Sequence, residues 1–492
     1  MNFDEYIAYD ATGLAELVRR REVSPNELLD MALLRLDATQ QTLNAVTIGM
    51  QRQGRKHAAD PGNGPFAGVP FLIKDIGQDY AEVPTTMGSR ALRDFKPAQH
   101  AEVVRRFIAA GLVIFGKTST PELALKGITE SRRWGITRNP WNLDRTPGGS
   151  SGGAAAVVAA GIVPMAGASD GGGSIRIPAA CCGLFGLRPS RGRVPSGPET
   201  GEVWDGASSN HVITRSVRDS ALMLDALHGA DSGAPFVIAA PTQPYAEAIR
   251  RAPRRLRIAY TTRSPINQPV HAEIAAATEQ TAQLLASLGH EVVPAEPPID
   301  GMALARAYLA MYFGQTAATV REIRQRTGAR YSEFELETRV LAALGRSLSA
   351  GEYVHKRRQW NVFARALGEF FSRYDLYLTP TMAQPPQPVG HDPLPPWQRV
   401  VLGPLLSLGL GGLLTHGDLV EQMAIESLKH VPFTQLSNLT GTPSMSVPLH
   451  WDSQGLPIGS QFIAPFGRED RLFQLAAQLE QAQPWVGRRP PI

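Results

Sequence analysis

The 492-residue sequence predicts an α/β protein, a sheet with helices on its faces. Segments with helical periodicity alternate with short apolar runs of strand length along the chain. Hydrophobic residues make up 43% and charged residues 19%, a soluble globular balance rather than a disordered or fibrous one. Length alone suggests about three domains at ~150 residues each.

Ser24-Pro25-Asn26-Glu27 is a capping box with proline at the first helical position, and Leu28, Met31, Leu34 and Leu36 continue it as an apolar rhythm. After a polar, Gly/Pro-rich stretch at 54–65, FAGVPFLIKD carries an apolar run that reads as a buried strand. Residues 101–110 look helical, Gly111 closes that helix, and LVIFGK follows as another strand. From Pro147 to about Pro198 glycine, alanine and serine dominate; small residues let backbone approach backbone or ligand, so a site belongs here. RIAY near 257, a helix around 272–288 and HEVVPA then resume the alternation. No internal repeat is visible.

Residues 384–397 are proline-rich and lead into VVLGPLLSLGLGGLL at 400–414, which is interrupted by Pro404 and four glycines. That run is too short and too kinked to span a bilayer. It reads equally as an ordinary buried segment or as a mobile apolar wall over a pocket.

Several function classes lose support at once. Net charge is only +4, and no Lys/Arg stripe with interleaved aromatics argues for nucleic acid. The opening MNFDEYIAYDATG has two early acids and no apolar run, unlike a secretory leader or membrane anchor. Cys181 and Cys182 are adjacent and cannot staple distant segments, so a reducing, cytoplasmic setting is expected and both read as small core residues. No HExxH or Cys/His spacing suggests a metal, and no cofactor is expected.

Two motifs match known expressions without their context. Gly111 to Thr118 fits the phosphate-loop pattern, but the residues between its glycines are themselves the strand, and Pro121 delays the next helix. Gly148-Gly149-Ser150-Ser151-Gly152 fits the nucleophile elbow of α/β-hydrolases, yet WNLDRTP before it reads as loop, and His211 or His228 would be arbitrary bases.

A third constellation keeps its context. The chain has seven lysines against 42 arginines (49 − 7), so lysine is used sparingly. Lys74 ends the apolar strand Val69 to Ile73, where burial is expected; a buried lysine can lose its proton and act as a base, which arginine cannot. From the lysine alone, pairing with Asp75 is the simpler reading. Thr146 to Gly153 then surrounds Ser150 and Ser151 with glycines before an alanine-rich helix at 154–160. Ser169 to Pro178 places Gly171, Gly172 and Gly173 directly before Ser174, exposing consecutive N–H groups of the kind an oxyanion needs. A flexible linker would explain either run taken singly, but the apolar segments around them argue against it.

In order and spacing, GVPFLIKD, TPGGSSGGAAAVVAAG and DGGGSIRIPAACCGLFGLRPSRGRV resemble the amidase signature family, with a serine separation of 174 − 150 = 24 residues. The likeness extends through GKTSTPEL, GITRNPWN, RSVRD, LTPT, NLTGTPSMSVP and GLPIGSQFIA, nearly the whole chain. It implies one three-layer α/β/α domain over 1–492 with a large mixed central sheet, which replaces the three-domain expectation. Its signature core would span 66–220 and a substrate-pocket loop region 384–430.

The same resemblance implies the roles. Ser174 would be the acyl-forming nucleophile, Ser150 a relay joined to Gly149 by a cis peptide bond, and Lys74 the general base. The amides of Gly171, Gly172, Gly173 and Ser174 would receive the oxyanion. Ser151, Asp170 and Arg176 would support the loop, a surface pair being the competing reading for the last two. Gly171 departs from the family, which more often has Ile, Thr, Ser or Ala there, so a looser loop is expected; Arg188 and Ser190 replace the commoner Lys and Thr.

For substrate, TESRRWGITRNPWNL and GREDRLFQLAAQLEQAQPWVGRRP resemble bacterial 6-aminohexanoate-cyclic-dimer hydrolases and aryl-acylamidases. With few charges around 400–414, a neutral, largely apolar amide, anilide or carbamate rather than a charged amino-acid amide is expected as the small-molecule partner, with no nucleic acid or membrane involved, and a homodimer is compatible. The family also contains the glutamine-hydrolysing subunit of a tRNA-dependent amidotransferase, an alternative that release of ammonia from glutamine would favour.

Overall fold

A computed structural model describes residues 1–390, 425–426 and 428–492. The expected pocket wall at 400–414 lies outside the described residues, as does most of the 384–430 loop region.

Thirteen strands are described: β1 (Val46–Gly49), β2 (Pro70–Lys74), β3 (Val113–Thr118), β4 (Glu130–Ser131), β5 (Gly135–Ile136), β6 (Met165–Asp170), β7 (Phe185–Arg188), β8 (Ser209–Thr214), β9 (Arg257–Tyr260), β10 (Glu291–Pro294), β11 (Leu376–Pro380), β12 (Ser444–Trp451) and β13 (Pro457–Ile463). Eleven form one sheet in the order β1-β3-β2-β6-β8-β7-β12-β13-β11-β9-β10, while β4 and β5 pair separately. The large sheet is mixed: β2 runs parallel to β3 and β6, and β9 to β10 and β11, whereas β6/β8, β7/β12 and β12/β13 are antiparallel.

The alternation of strand side chains builds the layers. Phe71 and Ile73 of β2 and Val212 of β8 enter one apolar core with Val103, Phe107 and Leu224 of the helices Glu102–Ala109 and Val217–Leu227. Leu72 and Ile213, one residue away, enter the opposite core with Leu29, Val157 and Val158 of the helices Pro25–Leu43 and Gly152–Ala159. Helices therefore cover both faces of an α/β sheet, and β2 and β3 are buried along their whole length.

Local signals fix the ends. The first long helix starts where the capping box requires, with Ser24 Oγ accepting from Glu27 N and Glu27 Oε2 accepting from Ser24 N at 2.8 Å. Strand β6 has no such signature, because Met-Ala-Gly-Ala-Ser-Asp lacks branched and aromatic strand formers; its place comes from pairing with β8 and β2.

Two features aim the chain at the glycine-rich loops. Leu72 of β2 pairs in parallel with Ala166 of β6, so Lys74 and Asp170 end neighbouring strands on the same edge of the sheet. The helix Gly152–Ala159 has all eight residues buried, and its small side chains let it lie close to the strands. A Cβ on Gly153 would stand 2.5 Å from Ser119 N and 2.7 Å from Ser119 O, which is backbone and cannot swing aside. Gly153→Ala should accordingly lower stability by about 1–3 kcal/mol, read as a fall in Tm; an unchanged Tm would show that this approach is not tight.

Candidate active site

Lys74 ends β2 with a fully buried side chain. Its backbone N–H donates to Gln78 Oε1 at 2.8 Å, and Gln78 Nε2 donates to the Ala168 carbonyl, tying the strand end to β6. The amine donates to Ser150 Oγ at 2.8 Å, to Ser169 Oγ at 3.1 Å and to the Ser169 carbonyl at 3.5 Å. Among the described residues it has no ion pair. Asp75 is turned to Thr86, whose N–H and hydroxyl both donate to it, so the simple Lys74–Asp75 pair does not form. Burial pushes the Lys74 pKa down to about 7, with the nearby Asp170 charge acting in the opposite sense.

Ser150 is buried, and the Gly149–Ser150 peptide bond is cis. The loop is clamped by Thr129, whose Oγ1 donates to the Gly148 carbonyl at 2.8 Å and accepts from Gly152 N at 3.1 Å. Ser151 Oγ donates to the Ser169 carbonyl at 3.3 Å, joining this loop to β6.

Asp170 closes β6, and Gly171 to Gly173 carry the chain to Ser174, ahead of the helix Arg176–Cys182. Asp170 and Arg176 form a buried fork: Nε donates to Oδ2 and Nη2 to Oδ1, both at 2.9 Å, with both side chains at 0% exposure. Asp170 also accepts from Gly173 N at 2.7 Å, Ile175 N at 3.2 Å and Asn438 Nδ2 at 2.9 Å. Burial alone would raise its pKa; the Arg176 guanidinium and these donors outweigh that and hold the carboxyl well below its usual range. Arg176 completes its donor set with the Thr434 carbonyl, Gln461 Oε1 and Asn438 Oδ1. Thr434 Oγ1 donates to the Gly172 carbonyl at 2.6 Å.

This network alters the expected oxyanion set. Gly173 N is already committed to Asp170, so it is not a free donor. The amides of Gly171, Gly172 and Ser174 make no hydrogen bond to a described residue. Ser174 is partly exposed, in contrast to the buried Lys74 and Ser150, and its hydroxyl is not bonded to Ser150 among the described residues. The Lys74 to Ser150 contact is thus formed, and the Ser150 to Ser174 contact is not.

Gly171 also acquires a reason. A Cβ there would lie 2.9 Å and 3.0 Å from the Trp204 ring, so Trp204 fills the space a larger residue would take. Bolted by Asp170, Arg176 and Thr434 and covered by Trp204, the loop is not the loose one that three glycines suggested. Trp204 and Thr434 had no local signal in the sequence; Ser169, Asn438 and Gln461 lie in the segments Ser169 to Pro178, NLTGTPSMSVP and GLPIGSQFIA, which did not single them out as site residues. Lys117, from the phosphate-loop match, sits inside β3 and donates to Thr85 Oγ1 at 2.6 Å. His211, the other motif's candidate base, is bonded to Ser220 Oγ at 2.9 Å, and burial pushes its pKa down to about 3.

The amidase family model matches residues 27–473. A 6-aminohexanoate-cyclic-dimer hydrolase of Pseudomonas sp. (strain NK87) is 35% identical over 507 residues, spanning 98% of this chain and 96% of its own. A solved 6-aminohexanoate cyclic dimer hydrolase in complex with substrate superposes with a TM-score of 0.89 at 34% identity over 99% of both chains. A bacterial aryl acylamidase of the amidase signature family gives 0.85 at 28% identity, over 98% of this chain and 99% of its own. Fold and matches together define a hydrolase that acts on amide bonds. The chain belongs to the amidase signature family.

Asp170→Asn should cost about 3–5 kcal/mol, because it leaves the Arg176 guanidinium buried without its countercharge. Urea unfolding reads the loss, and an unchanged midpoint would mean that this fork does not hold the loop.

Proposed function

We propose that this enzyme hydrolyses a neutral, largely apolar amide, such as an anilide or a cyclic or linear amide oligomer, through an acyl-enzyme on Ser174. Carbamates and esters would enter the same cycle. The observation that carries the reading is the buried Lys74 amine, with a pKa near 7, bonded to Ser150 Oγ on the strand edge where the glycine loop presents Ser174.

In this cycle neutral Lys74 takes the Ser150 hydroxyl proton while Ser150 takes the proton of Ser174. Ser174 Oγ bonds to the substrate carbonyl carbon, and the carbonyl oxygen gains negative charge beside the free amides of Gly171, Gly172 and Ser174. Collapse breaks the C–N bond, and the leaving amine receives the proton back through Ser150. Water then loses its proton along the same path, attacks the acyl carbon and releases the acid with Ser174 restored. Every proton stays on Lys74, the two serines, water or substrate, so neither metal nor cofactor has a step to perform.

The names of the relatives support the substrate class, since they are hydrolases of a cyclic amide dimer and of aryl amides. So does the aromatic cover that Trp204 gives the glycine loop, which suits an apolar group better than a charged one. In this reading the enzyme is free-standing and cytoplasmic, in keeping with two buried free cysteines, and takes a small molecule rather than a nucleic acid or a membrane.

Three experiments test it. A fluorophosphonate probe should label Ser174, because only an activated serine reacts at useful rates; an adduct on Ser150 or Ser151 would overturn the assignment. Lys74 must be neutral to accept a proton, so kcat/KM should rise with pH through about 7 and fall away below it as the amine is protonated. Lys74→Arg keeps the charge but removes the base, so it should lose ~10²–10⁴-fold in activity, nearly as much as Lys74→Ala. Near-normal kcat in folded Lys74→Arg would make the lysine a structural cation.

A further inference from the structure

The helix Gly301–Thr327 carries Tyr308 against the glycine loop. A Cβ on Gly172 would fall 2.1 Å from Tyr308 Oη, so the phenol hydroxyl lies directly against the backbone between β6 and Ser174. Tyr308 is 7% exposed, its hydroxyl is not one of the enclosed side-chain atoms left without a partner, and it makes no hydrogen bond to a described residue. Its neighbours are all engaged. Thr434 donates to the Gly172 carbonyl, Tyr312 one turn later donates to the Leu125 carbonyl, and Tyr353 donates to Asp205.

The hydroxyl is held in place by packing rather than by a bond of its own. Tyr312 stacks on Tyr308 with ring centroids 5.8 Å apart and planes at 24°. Trp204 meets Tyr312 edge-on at 5.4 Å and 89°, and closes over Gly171. Trp204 sits in a turn whose Trp204, Asp205 and Gly206 have φ of 56°, 54° and 77°. That turn is pinned by Tyr353 Oη and Gln315 Nε2, which donate to the Asp205 carboxylate at 2.6 and 3.3 Å. An idle donor is thereby fixed beside the loop that has surrendered the Gly173 amide to Asp170. Burial and the neighbouring Asp170 charge both raise the Tyr308 pKa, so the phenol keeps its proton at any working pH.

We propose that Tyr308 donates its hydroxyl hydrogen bond to the substrate carbonyl oxygen as negative charge develops there, acting beside the amides of Gly171, Gly172 and Ser174. The proposal rests on the acyl-enzyme reading above. It makes Tyr308 a catalytic residue contributed by a helix 134 positions downstream of the nucleophile (308 − 174).

The test is Tyr308→Phe in the full chain, assayed on a neutral 4-nitroanilide, with fluorophosphonate labelling run in parallel. The substitution removes one oxygen and keeps the ring packing, so Tm should stay within about 2 °C; cavity and strain terms are both avoided. An interaction made only in the transition state appears in kcat, so kcat should fall ~10–100-fold while KM stays within about two-fold. Unchanged kcat in a variant whose wild type is labelled on Ser174 overturns the Tyr308 role alone. A raised KM with unchanged kcat overturns it as well, since it marks a ground-state contact. Labelling of the wild type away from Ser174 would instead overturn the acyl-enzyme reading and the Tyr308 role together.

Discussion

An amine cannot serve as a base while it stands next to a free carboxylate, because the countercharge would keep it protonated. Lys74 and Asp170 end adjacent parallel strands, so the site would defeat itself if nothing else claimed the acid. Arg176 claims it. Its fork, Asn438 and the amides of Gly173 and Ile175 saturate Asp170, and Lys74 is left with hydroxyls and a carbonyl as its partners. Arginine suits this task because its charge persists when buried, whereas the lysine, enclosed without a partner charge, drops toward neutrality.

That division of charge constrains the surrounding fold. The acid can be saturated only if segments from across the sequence meet at one sheet edge, and the eleven-stranded sheet brings them there. Gln461 comes from β13, Thr434 and Asn438 flank or lie in the short helix Gln435–Thr440, and all reach Arg176. The glycines of the loop then serve two ends. Gly171 and Gly172 leave their amides free while Gly173 gives its own to Asp170, and each missing side chain also admits a neighbour: Trp204 at Gly171, Tyr308 at Gly172, Thr434 at Gly173. One loop is consequently donor array and docking surface for the pocket wall.

The local part of this arrangement is legible in the sequence. Lys74 stands out because lysine is scarce and ends an apolar strand, and Ser150 and Ser174 stand out because glycines crowd them. The capping box of the first long helix and the apolar strands β2 and β3 are equally readable, since each signal lies within a few residues. Strand β6 is not, being made of small residues whose pairing partners alone define it. Nor are Trp204, Tyr308 and Thr434, which reach the loop from distant positions outside every readable segment, while Asn438 and Gln461 fall in NLTGTPSMSVP and GLPIGSQFIA with nothing local to say that they bond Arg176. Gly171 shows the boundary: its departure from the family pattern is visible in the chain, but its cause needs the Trp204 ring in place.

Catalysis by this site requires one protonation state of Lys74, and the scarcity of lysine makes that state directly measurable. With seven lysines, a protein carrying ¹³C at every lysine Cε gives few resonances, and the one absent from Lys74→Arg is Lys74. Titrated by NMR, that resonance should shift with a midpoint near 7, in accord with an amine neutral enough to accept a proton. A midpoint at or above the ~10.4 of free lysine would contradict the account, for Lys74 would then be a cation throughout the working range.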